Sequence, residues 1–403
     1  MSIILTNEQQ SVVKQIIGWS VNGSERCFFL KAAAGTGKTT IMKETLPLLP
    51  DVIVVAPTGK AASVLQDKTG YPVKTIHSLL YLPEENIDGE WLELRKNHEE
   101  NPDDELAKKA FFDYKSRINE VNFIDKKTKF SGNAVIVIDE ASMVGDAMAN
   151  DLLNTGARLL FIGDDSQLPP VQQKAFFHNS ATTARLTKVH RQALDSDILR
   201  LATLIRNGES IRFSDWETGD AIITTSKNVA KDDWLAADQL LTDTNAQRKK
   251  LNRYFRNALG YSGNNLIERG EKIICLKNNW EREIPFINGV QCHVGNDIRN
   301  VGADLMMETN YGNMRTVVSC PDYYFRCNYQ MMPYMPYSEF QGMDLFDYGY
   351  CITVHKSQGS EWDNVIFADS RYAIKTYKND MNARALLYTA ITRASKNFTL
   401  VMK

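Results

Sequence analysis

Short apolar runs alternate with polar, helix-like stretches through the first half of the chain. Four of these runs are CFFL (27–30), VIVVA (52–56), AVIVI (134–138) and LLFIG (159–163), and each is followed by Gly, Pro, Thr or acidic residues. Runs that are apolar at every position are typical of parallel strands buried on both faces. Since such strands present their carboxyl ends at one edge of a sheet, the pattern predicts an α/β domain with a site at that edge.

A second set of similar runs follows later in the chain. Its members are AIITT (221–225), LLTDT (240–244), YCITV (350–354), NVIFA (364–368) and NFTLV (397–401). The simplest interpretation of the two sets is a pair of α/β parallel-sheet domains in series.

Two stretches interrupt this rhythm. Residues 84–130 begin acidic and end basic, and the runs on either side of Asp88 and Gly89 predict a β-hairpin. A surface insertion without function explains this stretch equally well. Residues 276–345 are rich in Tyr, Met, Gly and Asn and predict a small all-β module. The predicted domains are 1–83 with 131–184, the insertion 84–130, 185–275 with 346–403, and the module 276–345.

Composition limits the class of protein without naming a function. The chain has 403 residues, of which 43% are hydrophobic and 24% charged, as in ordinary globular proteins. Its net charge of −2 means that any binding to nucleic acid depends on a local basic surface. The N-terminus lacks a signal peptide, no apolar run approaches the ~18 residues of a membrane span, and the six cysteines show no zinc spacing. We therefore expect a cytoplasmic protein without a membrane partner.

The segment KAAAGTGKTT (31–40) is nearly a phosphate-binding loop, G-x-x-x-x-G-K-[ST], with Ala32 at the first glycine position. Gly35 and Gly37 allow backbone N–H groups to face phosphate oxygens at a strand-to-helix turn. Lys38 can reach the β- and γ-phosphates, and the Thr39 hydroxyl can ligate Mg²⁺. Alanine is compatible with the loop if the backbone at that position has a negative φ.

Two acidic residues end the strand AVIVI. Asp139 is placed to hold Mg²⁺, and Glu140 to polarise the attacking water. Gln167, in the segment GDDSQLPPV (163–171), follows another buried strand and could sense the γ-phosphate. Together with the loop, these residues predict an ATPase that uses ATP and Mg²⁺.

The motifs, in their order along the chain, resemble those of superfamily 1 helicases, and among these the RecD-like branch (superfamily 1B) with the Dda-like helicases of tailed phages. The resemblance runs from LTNEQ (5–9) to LLYTAITRA (386–394), with Ala32 as the visible departure. Its segments are LTNEQQ for the Q motif, APTGKAA (56–62) and TIHSLL (75–80) for DNA-contacting motifs, and DEAS, GDDSQLPP, HRQ, TVHKSQGSEW and YTAITRA for motifs II to VI. It implies two RecA-like domains in tandem, with a pin insertion in the first and an SH3-like β module in the second.

The resemblance also implies which residues meet ATP. Arg191 and Arg393 would approach the γ-phosphate from the second domain and join Lys38, Glu140 and Gln167 as catalytic residues. The implied nucleotide contacts are Gln9 at the adenine, then Ala34, Gly35, Thr36, Gly37, Lys38, Thr39 and Thr40 in the loop, and Gly359 and Glu361. Thr39 and Asp139 would hold the metal ion.

Another group of residues would contact the nucleic acid. Short hydroxyls, an ammonium group and imidazoles can bind phosphates and sugars without reading sequence, and the resemblance assigns this role to Thr58, Lys60, His77, Thr353 and His355. A purely structural role is open for both histidines. In the insertion, Trp91 is a candidate for the wedge that separates strands, with Phe123 and Phe130 as weaker candidates.

The expected function is an ATP-dependent DNA helicase that moves 5′ to 3′ on single-stranded DNA and opens forked duplexes. Two alternatives stay open, a translocase that mainly displaces bound proteins and a non-motor protein in which ATP gates nucleic-acid binding. We expect a monomer, with single-strand-binding or replication proteins as partners. The sequence does not distinguish DNA from RNA by its physics, or replication from recombination and repair.

Overall fold

A computed structural model describes residues 5–83, 123–170, 176–188, 196–261, 266–276, 286–301, 304–311, 314–321, 325 and 344–402. Trp91, with most of the predicted insertion, and Arg191 lie outside the described residues. The chain forms two compact units, which are described separately. The first contains Met1–Leu79, Lys127–Gly260 and Tyr350–Lys403, and the second contains Leu80–Lys126 and Tyr261–Gly349.

The first unit contains a six-stranded sheet in the order β3-β2-β6-β7-β1-β8, and every pair of strands in it is parallel. The strands are β1 (Cys27–Ala32), β2 (Val52–Ala56), β3 (Val73–Thr75), β6 (Val135–Ile138), β7 (Arg158–Gly163) and β8 (Ala184–Leu186). The four strands predicted from the apolar runs are confirmed. β6 is buried at every position, as its apolar sequence requires.

Helices connect these strands, namely α1 (Asn7–Asn22), α2 (Lys38–Thr45), α3 (Gly59–Thr69), α4 (Ile76–Leu80), α5 (Asp146–Asn154) and α6 (Phe176–Asn179). α1 begins with a capping box, in which Thr6 and Gln9 satisfy each other's backbone N–H groups. Ile16 of α1 and Ile41 of α2 pack against Phe28 and Leu30 of β1 in one buried cluster. This packing holds the segment between β1 and α2 against a rigid core.

A five-stranded parallel sheet in the order β16-β10-β17-β18-β9 forms the rest of the first unit. Its strands are β9 (Ala221–Thr225), β10 (Gln239–Thr242), β16 (Cys351–Thr353), β17 (Trp362–Asp369) and β18 (Ala394–Met402). Its helices are α7 (Asp197–Asn207), α8 (Lys231–Ala236), α9 (Asn245–Ala258), α10 (Val354–Ser357), α11 (Ala373–Thr376) and α12 (Met381–Ile391). The second set of predicted strands is therefore confirmed as well.

The second unit contains an antiparallel sheet in the order β14-β13-β12-β11-β15. Its strands are β11 (Lys272–Cys275), β12 (Gln291–Val301), β13 (Asp304–Tyr311), β14 (Met314–Pro321) and β15 (Phe346–Tyr348). This is an all-β module, and its strands β11 and β15 lie just outside the predicted range 276–345.

The second unit also contains an antiparallel pair, β4 (Tyr81–Pro83) just before the predicted insertion 84–130 with β5 (Phe123–Asp125) near the end of that insertion. The predicted hairpin around Asp88 and Gly89 lies outside the described residues. Among the helices that the structure describes, none combines the length and the apolar composition that a bilayer-spanning segment requires.

Candidate ATP site

A cavity of about 640 Å³ lies where the carboxyl ends of β1 and β6 meet segments from the second parallel sheet. The lining residues from the first sheet include Ala34, Gly35, Gly37, Lys38, Thr39, Thr40, Asp139, Glu140 and Gln167. Those from the second include Gly359, Glu361 and Arg393. The structure thus brings together, around one cavity, residues that the sequence analysis had identified in separate motifs.

The loop between β1 and α2 has the backbone geometry of an anion site. Gly35 has φ 73° and Gly37 has φ 90°, both in the left-handed region that side chains other than glycine's rarely adopt. Gly37 caps α2, so the helix N-terminus faces the cavity and favours a negatively charged ligand. Lys38 Nζ donates a hydrogen bond to the carbonyl of Ala32 at 3.1 Å.

Ala32 is the last residue of β1 and pairs in parallel register with Leu186 of β8. Its side chain is fully buried, and it is not among the residues with positive φ. The extended backbone at this position therefore accepts a β-carbon without strain. The absence of the first loop glycine leaves the loop geometry intact, since the left-handed turns occur at Gly35 and Gly37.

We expect Ala32→Gly to change the ATPase rate less than about twofold, because the native φ at this position suits both residues. Gly37→Ala should lower the rate more than about tenfold, because a left-handed alanine is strained and the phosphate-facing amides would shift. Steady-state ATPase assays with matched melting temperatures check this pair. An equal loss in both variants would contradict the assignment of strain to Gly37.

The two carboxylates at the end of β6 have different environments. Burial, reinforced by the charge of Glu140, raises the pKa of Asp139 to about 7, while Lys38 and Lys68 oppose the shift. Glu140 has φ 48° and ψ 41°, a conformation uncommon for a residue other than glycine. Backbone strain of this kind is concentrated at functional sites.

Two acceptor oxygens at the cavity are buried and have no hydrogen-bond partner among the described atoms, Glu140 Oε2 and Gln167 Oε1. Burying an unpaired acceptor costs about 1–3 kcal/mol. Gln167 is held in place through its backbone, since its N–H donates to the Asp164 carbonyl at 3.2 Å and its carbonyl bonds the His178 ring at 3.1 Å. Each of these oxygens can accept a hydrogen bond from a water molecule.

The donor set fits a hard divalent cation. The Thr39 hydroxyl and the Asp139 carboxylate both line the cavity, and Mg²⁺ prefers oxygen ligands completed by water and phosphate. Within the described ranges there is no group of three or more His, Cys, Asp or Glu that could hold a metal ion by itself. The chemistry of these residues therefore fits a cation that arrives with a phosphate ligand.

Arg393 reaches the cavity from the second sheet and is only 5% exposed. Its Nε donates to the Thr389 carbonyl at 3.2 Å and its Nη1 to the Ser360 carbonyl at 3.1 Å. No carboxylate pairs with it in these bonds, so its charge is available to an anionic ligand.

Gly359 and Glu361 connect the second sheet to α3. A β-carbon at Gly359, where φ is 73°, would lie 2.9 Å from Cβ of Ala61, so both the backbone and the packing require glycine. Glu361 forms an ion pair with Lys68 at 3.7 Å, in which both side chains are about half exposed. Such an exposed pair contributes little to stability.

The side-chain amide of Gln9 is buried beside the phosphate loop and hydrogen bonded to backbone groups. Its side chain is 1% exposed, its Oε1 accepts from the Thr6 N–H, and its Nε2 donates to the Thr36 carbonyl at 3.1 Å. The residue thus braces the phosphate loop, and its contact with adenine stays a prediction. Thr36 is also buried, and its hydroxyl bonds the Ala33 carbonyl.

The residues predicted to contact nucleic acid follow strands at the carboxyl ends of the two sheets. Thr58 caps α3 through the Ala61 N–H, and Thr353 caps α10 through the Lys356 N–H. Burial lowers the pKa of Lys60, opposed by Asp67, and burial also lowers the pKa of His355. His77 is exposed at the start of α4. Of the predicted wedge residues, Trp91 and the side chain of Phe123 lie outside what the structure describes, and Phe130 is half-buried and donates its backbone N–H to the Thr155 carbonyl.

Several residues that form hydrogen bonds between the segments of the site were not predicted from the sequence. Tyr388 bonds the phosphate loop, Thr389 and Gln358 bond the segment at Leu168, and the charge of Lys68 opposes the rise that burial causes in the pKa of Asp139. Tyr388, Thr389 and Gln358 lie inside the quoted motifs YTAITRA and TVHKSQGSEW. Their position in a motif was the available signal, but nothing local identified their partners.

Comparison with known proteins agrees with this geometry. The family model described as "AAA domain" matches residues 4–227, and the model "UvrD-like helicase C-terminal domain" matches residues 348–401. The ATP-dependent RecD2 DNA helicase of Deinococcus radiodurans is 28% identical over 423 residues, covering 98% of this chain and 48% of that protein. The ATP-dependent DNA helicase dda of Enterobacteria phage T4 is 28% identical over 200 residues, covering 45% of this chain and 38% of that protein.

Among solved structures, the Pif1 helicase from Bacteroides in complex with ADP-AlF3 and ssDNA is similar with a TM-score of 0.52 and 17% identity. The match covers 100% of this chain and 93% of that chain, and it shows a shared fold of two RecA-like domains. The chain spans about half the length of the RecD2 relative. The chain belongs to the superfamily 1B, RecD-like helicases.

Proposed function

We propose that the chain is an ATP-dependent DNA helicase that moves 5′ to 3′ on single-stranded DNA and separates duplexes with a pin. The observation that carries this proposal is the cavity lined by Lys38, Asp139 and Glu140 from one parallel sheet and by Arg393 from the other. The proposed domains are 1–83 with 131–184, the insertion 84–130, 185–275 with 346–403, and the module 276–345.

Each group at the cavity has a role in the proposed hydrolysis. The amides of the loop and Lys38 bind the phosphates, while Thr39 and Asp139 hold Mg²⁺, which neutralises phosphate charge when bound. Glu140 accepts a proton from the attacking water, and Gln167 orients that water through its free Oε1. Arg393, together with Arg191, stabilises the charge that develops on the transferred phosphoryl group.

Because Arg393 and Lys38 come from different sheets, hydrolysis requires that both sheets lie close to the nucleotide during the chemical step. A cation supplied across a cleft stabilises the transition state only when the cleft is closed. ATP binding and product release would therefore change the separation of the two sheets, and this change would move the protein along a strand.

The proposed grip on DNA uses groups on both sheets. Thr58, Lys60 and His77 follow strands of the first sheet. Thr353 and His355 lie at the end of β16 in the second sheet and in the helix that follows it. A DNA strand that contacts both groups would be displaced when the sheets move. His355 also lines a separate cavity of about 310 Å³ with Pro169 and Pro170. The single-stranded DNA in the similar Pif1 structure supports the choice of ligand class.

Strand separation is assigned to the insertion 84–130, with Trp91 as the first candidate wedge and Phe123 and Phe130 as the others. Opening one base-pair step costs about 1.4 kcal/mol of stacking. An apolar side chain at the fork would prevent re-annealing behind the motor. Forked duplex DNA would then be the substrate of a single protein molecule.

On forked duplexes, we expect unwinding from a 5′ single-stranded tail and less than about a tenth of that rate from a 3′ tail, since a motor of fixed polarity is loaded productively by one strand only. A single-turnover assay with fluorescently labelled forks and ATP measures both. A duplex without a tail is the matched control.

Unwinding from the 3′ tail alone would contradict the proposed polarity. ATPase activity that single-stranded DNA stimulates, without unwinding of any fork, would instead favour the protein-displacing translocase. An ATPase rate that does not respond to single-stranded DNA would contradict the motor itself.

A further inference from the structure

Tyr388 connects the two parallel sheets at a point beside the ATP cavity. This residue of α12 is 2% exposed, and its hydroxyl donates to Asp164 Oδ2 at 2.7 Å. The same hydroxyl accepts a hydrogen bond from the Ala34 N–H of the phosphate loop at 3.0 Å. Burial raises the pKa of Tyr388 well above its ordinary value, so the hydroxyl keeps its proton and remains a donor to Asp164.

Both partners of Tyr388 belong to segments that shape the cavity. Ala34 lines it directly. Asp164 follows β7 and its carbonyl accepts from the Gln167 N–H, so the position of Asp164 sets the position of Gln167. One hydroxyl from the second sheet thus holds the phosphate loop and the Gln167 segment at a fixed separation.

The next residue of α12 extends this connection to the arginine. Thr389 Oγ1 accepts from the Leu168 N–H at 2.9 Å, and Gln358 Nε2 donates to the Leu168 carbonyl at 2.9 Å. The Thr389 carbonyl in turn accepts from Nε of Arg393. A continuous path of hydrogen bonds and backbone therefore runs from Ala34 through Tyr388 and Thr389 to Arg393.

A buried tyrosine needs a hydrogen-bond partner wherever it lies, so burial alone does not indicate a role in the reaction. Tyr377 provides the comparison, since it is also 2% exposed and its hydroxyl donates to the Glu209 carbonyl. The partner of Tyr377 lies within the second sheet's own domain. Both partners of Tyr388 lie in loops of the other domain, beside the groups that bind phosphate and orient water.

We propose that Tyr388 is a positioning residue for ATP hydrolysis, which holds the phosphate loop, Gln167 and Arg393 in the geometry that the reaction requires. This inference rests on the proposed ATPase function. Tyr388 acts through Arg393 and Gln167 and touches the loop backbone, so its hydroxyl should influence the rate of the chemical step more than the binding of ATP.

Tyr388→Phe removes only the hydroxyl. We expect kcat of the ATPase stimulated by single-stranded DNA to fall about 10- to 100-fold, the range that a small misplacement of reacting groups produces. The KM for ATP should stay within about twofold of the wild-type value, because the loop amides and Lys38 remain. Tyr377→Phe is the matched control. We expect it to lower the melting temperature about as much as Tyr388→Phe does and to leave kcat unchanged.

A double-mutant cycle separates positioning from a general loss of structure. In an Arg393→Ala background, Tyr388→Phe should lower kcat by a smaller factor than in the wild-type background, because one of the groups that Tyr388 positions is already absent while the phosphate loop and Gln167 remain. If Tyr388→Phe does not fold, Thr389→Val replaces it in the test, because this change removes the acceptor of the Leu168 N–H. Its effect on kcat is then measured in the wild-type and in the Arg393→Ala background.

A wild-type kcat in Tyr388→Phe would overturn the inference. So would a rise in KM without a change in kcat, or an undiminished loss of kcat in the Arg393→Ala background. An absence of ATPase activity in the wild-type protein would be a different failure, because it would overturn the proposed function itself.

Discussion

Lys38→Ala is expected to lower kcat of the ATPase stimulated by single-stranded DNA about 10²- to 10³-fold, the usual cost of removing one preorganised cation or donor from a transition state. Lys38 Nζ lies at the end of β1, 3.1 Å from the Ala32 carbonyl, beside a loop whose residues line the cavity. No other lysine of α2 lines that cavity among the residues described. Unwinding should be lost together with hydrolysis, since the motor has no other energy source.

Binding of single-stranded DNA should stay within about twofold of the wild type, because the candidate contacts follow other strands. Fluorescence anisotropy with a labelled oligonucleotide measures this affinity at one fixed salt concentration. Lys43→Ala is the matched control, since Lys43 is an exposed residue of the same helix. A Lys38→Ala protein that hydrolyses ATP normally would contradict the assignment of the phosphate loop.

Arg393→Ala is expected to lower kcat about 10³-fold while the KM for ATP changes less than about threefold, as when an arginine finger is removed. The guanidinium is buried at the cavity, and within the described part of the chain its hydrogen bonds go to carbonyl and hydroxyl oxygens, so a phosphate would add an anionic partner. Arg393→Lys should restore little of the rate, because an ammonium group cannot reproduce the planar fork of donors.

Arg384→Ala tests whether such a loss is specific. Arg384 lies on the same helix α12, and its guanidinium also bonds backbone carbonyls, those of Tyr377 and Lys378, but it does not line the cavity. Its replacement should lower the melting temperature without changing kcat. Equal losses of kcat in Arg393→Ala and Arg384→Ala would show that the helix, and not the charge of Arg393, matters for hydrolysis.

Ala32 illustrates how far the local pattern could be interpreted. The sequence shows that Ala32 replaces the first glycine of the motif. Alanine is compatible with the loop at this position if the backbone φ is negative. Whether that condition holds depends on where β1 ends, and the pairing of Ala32 with Leu186 extends the strand through this position. A neighbouring strand distant in sequence decided the backbone conformation.

Gln9 shows a second limit. Its place in the segment LTNEQQ predicts a contact with a base, which stays a prediction, and the tertiary structure adds a hydrogen bond from its amide to the Thr36 carbonyl. Packing of α1 against α2 and β1 determines which atoms that amide reaches.

The sequence by itself determined four of the six strands of the first parallel sheet, the five strands of the second, the phosphate loop and the acidic pair, because apolar runs and motif spacing are local properties of the chain. Only the tertiary structure decided that Tyr388 bonds Ala34, since these residues lie 354 positions apart. The close approach of Gly359 to Ala61 is likewise a contact between segments far apart in the sequence. The left-handed backbone of Glu140 also became known only from the structure. Contacts between distant segments depend on how whole sheets and helices pack, and hydrophobic periodicity carries no information about such pairings.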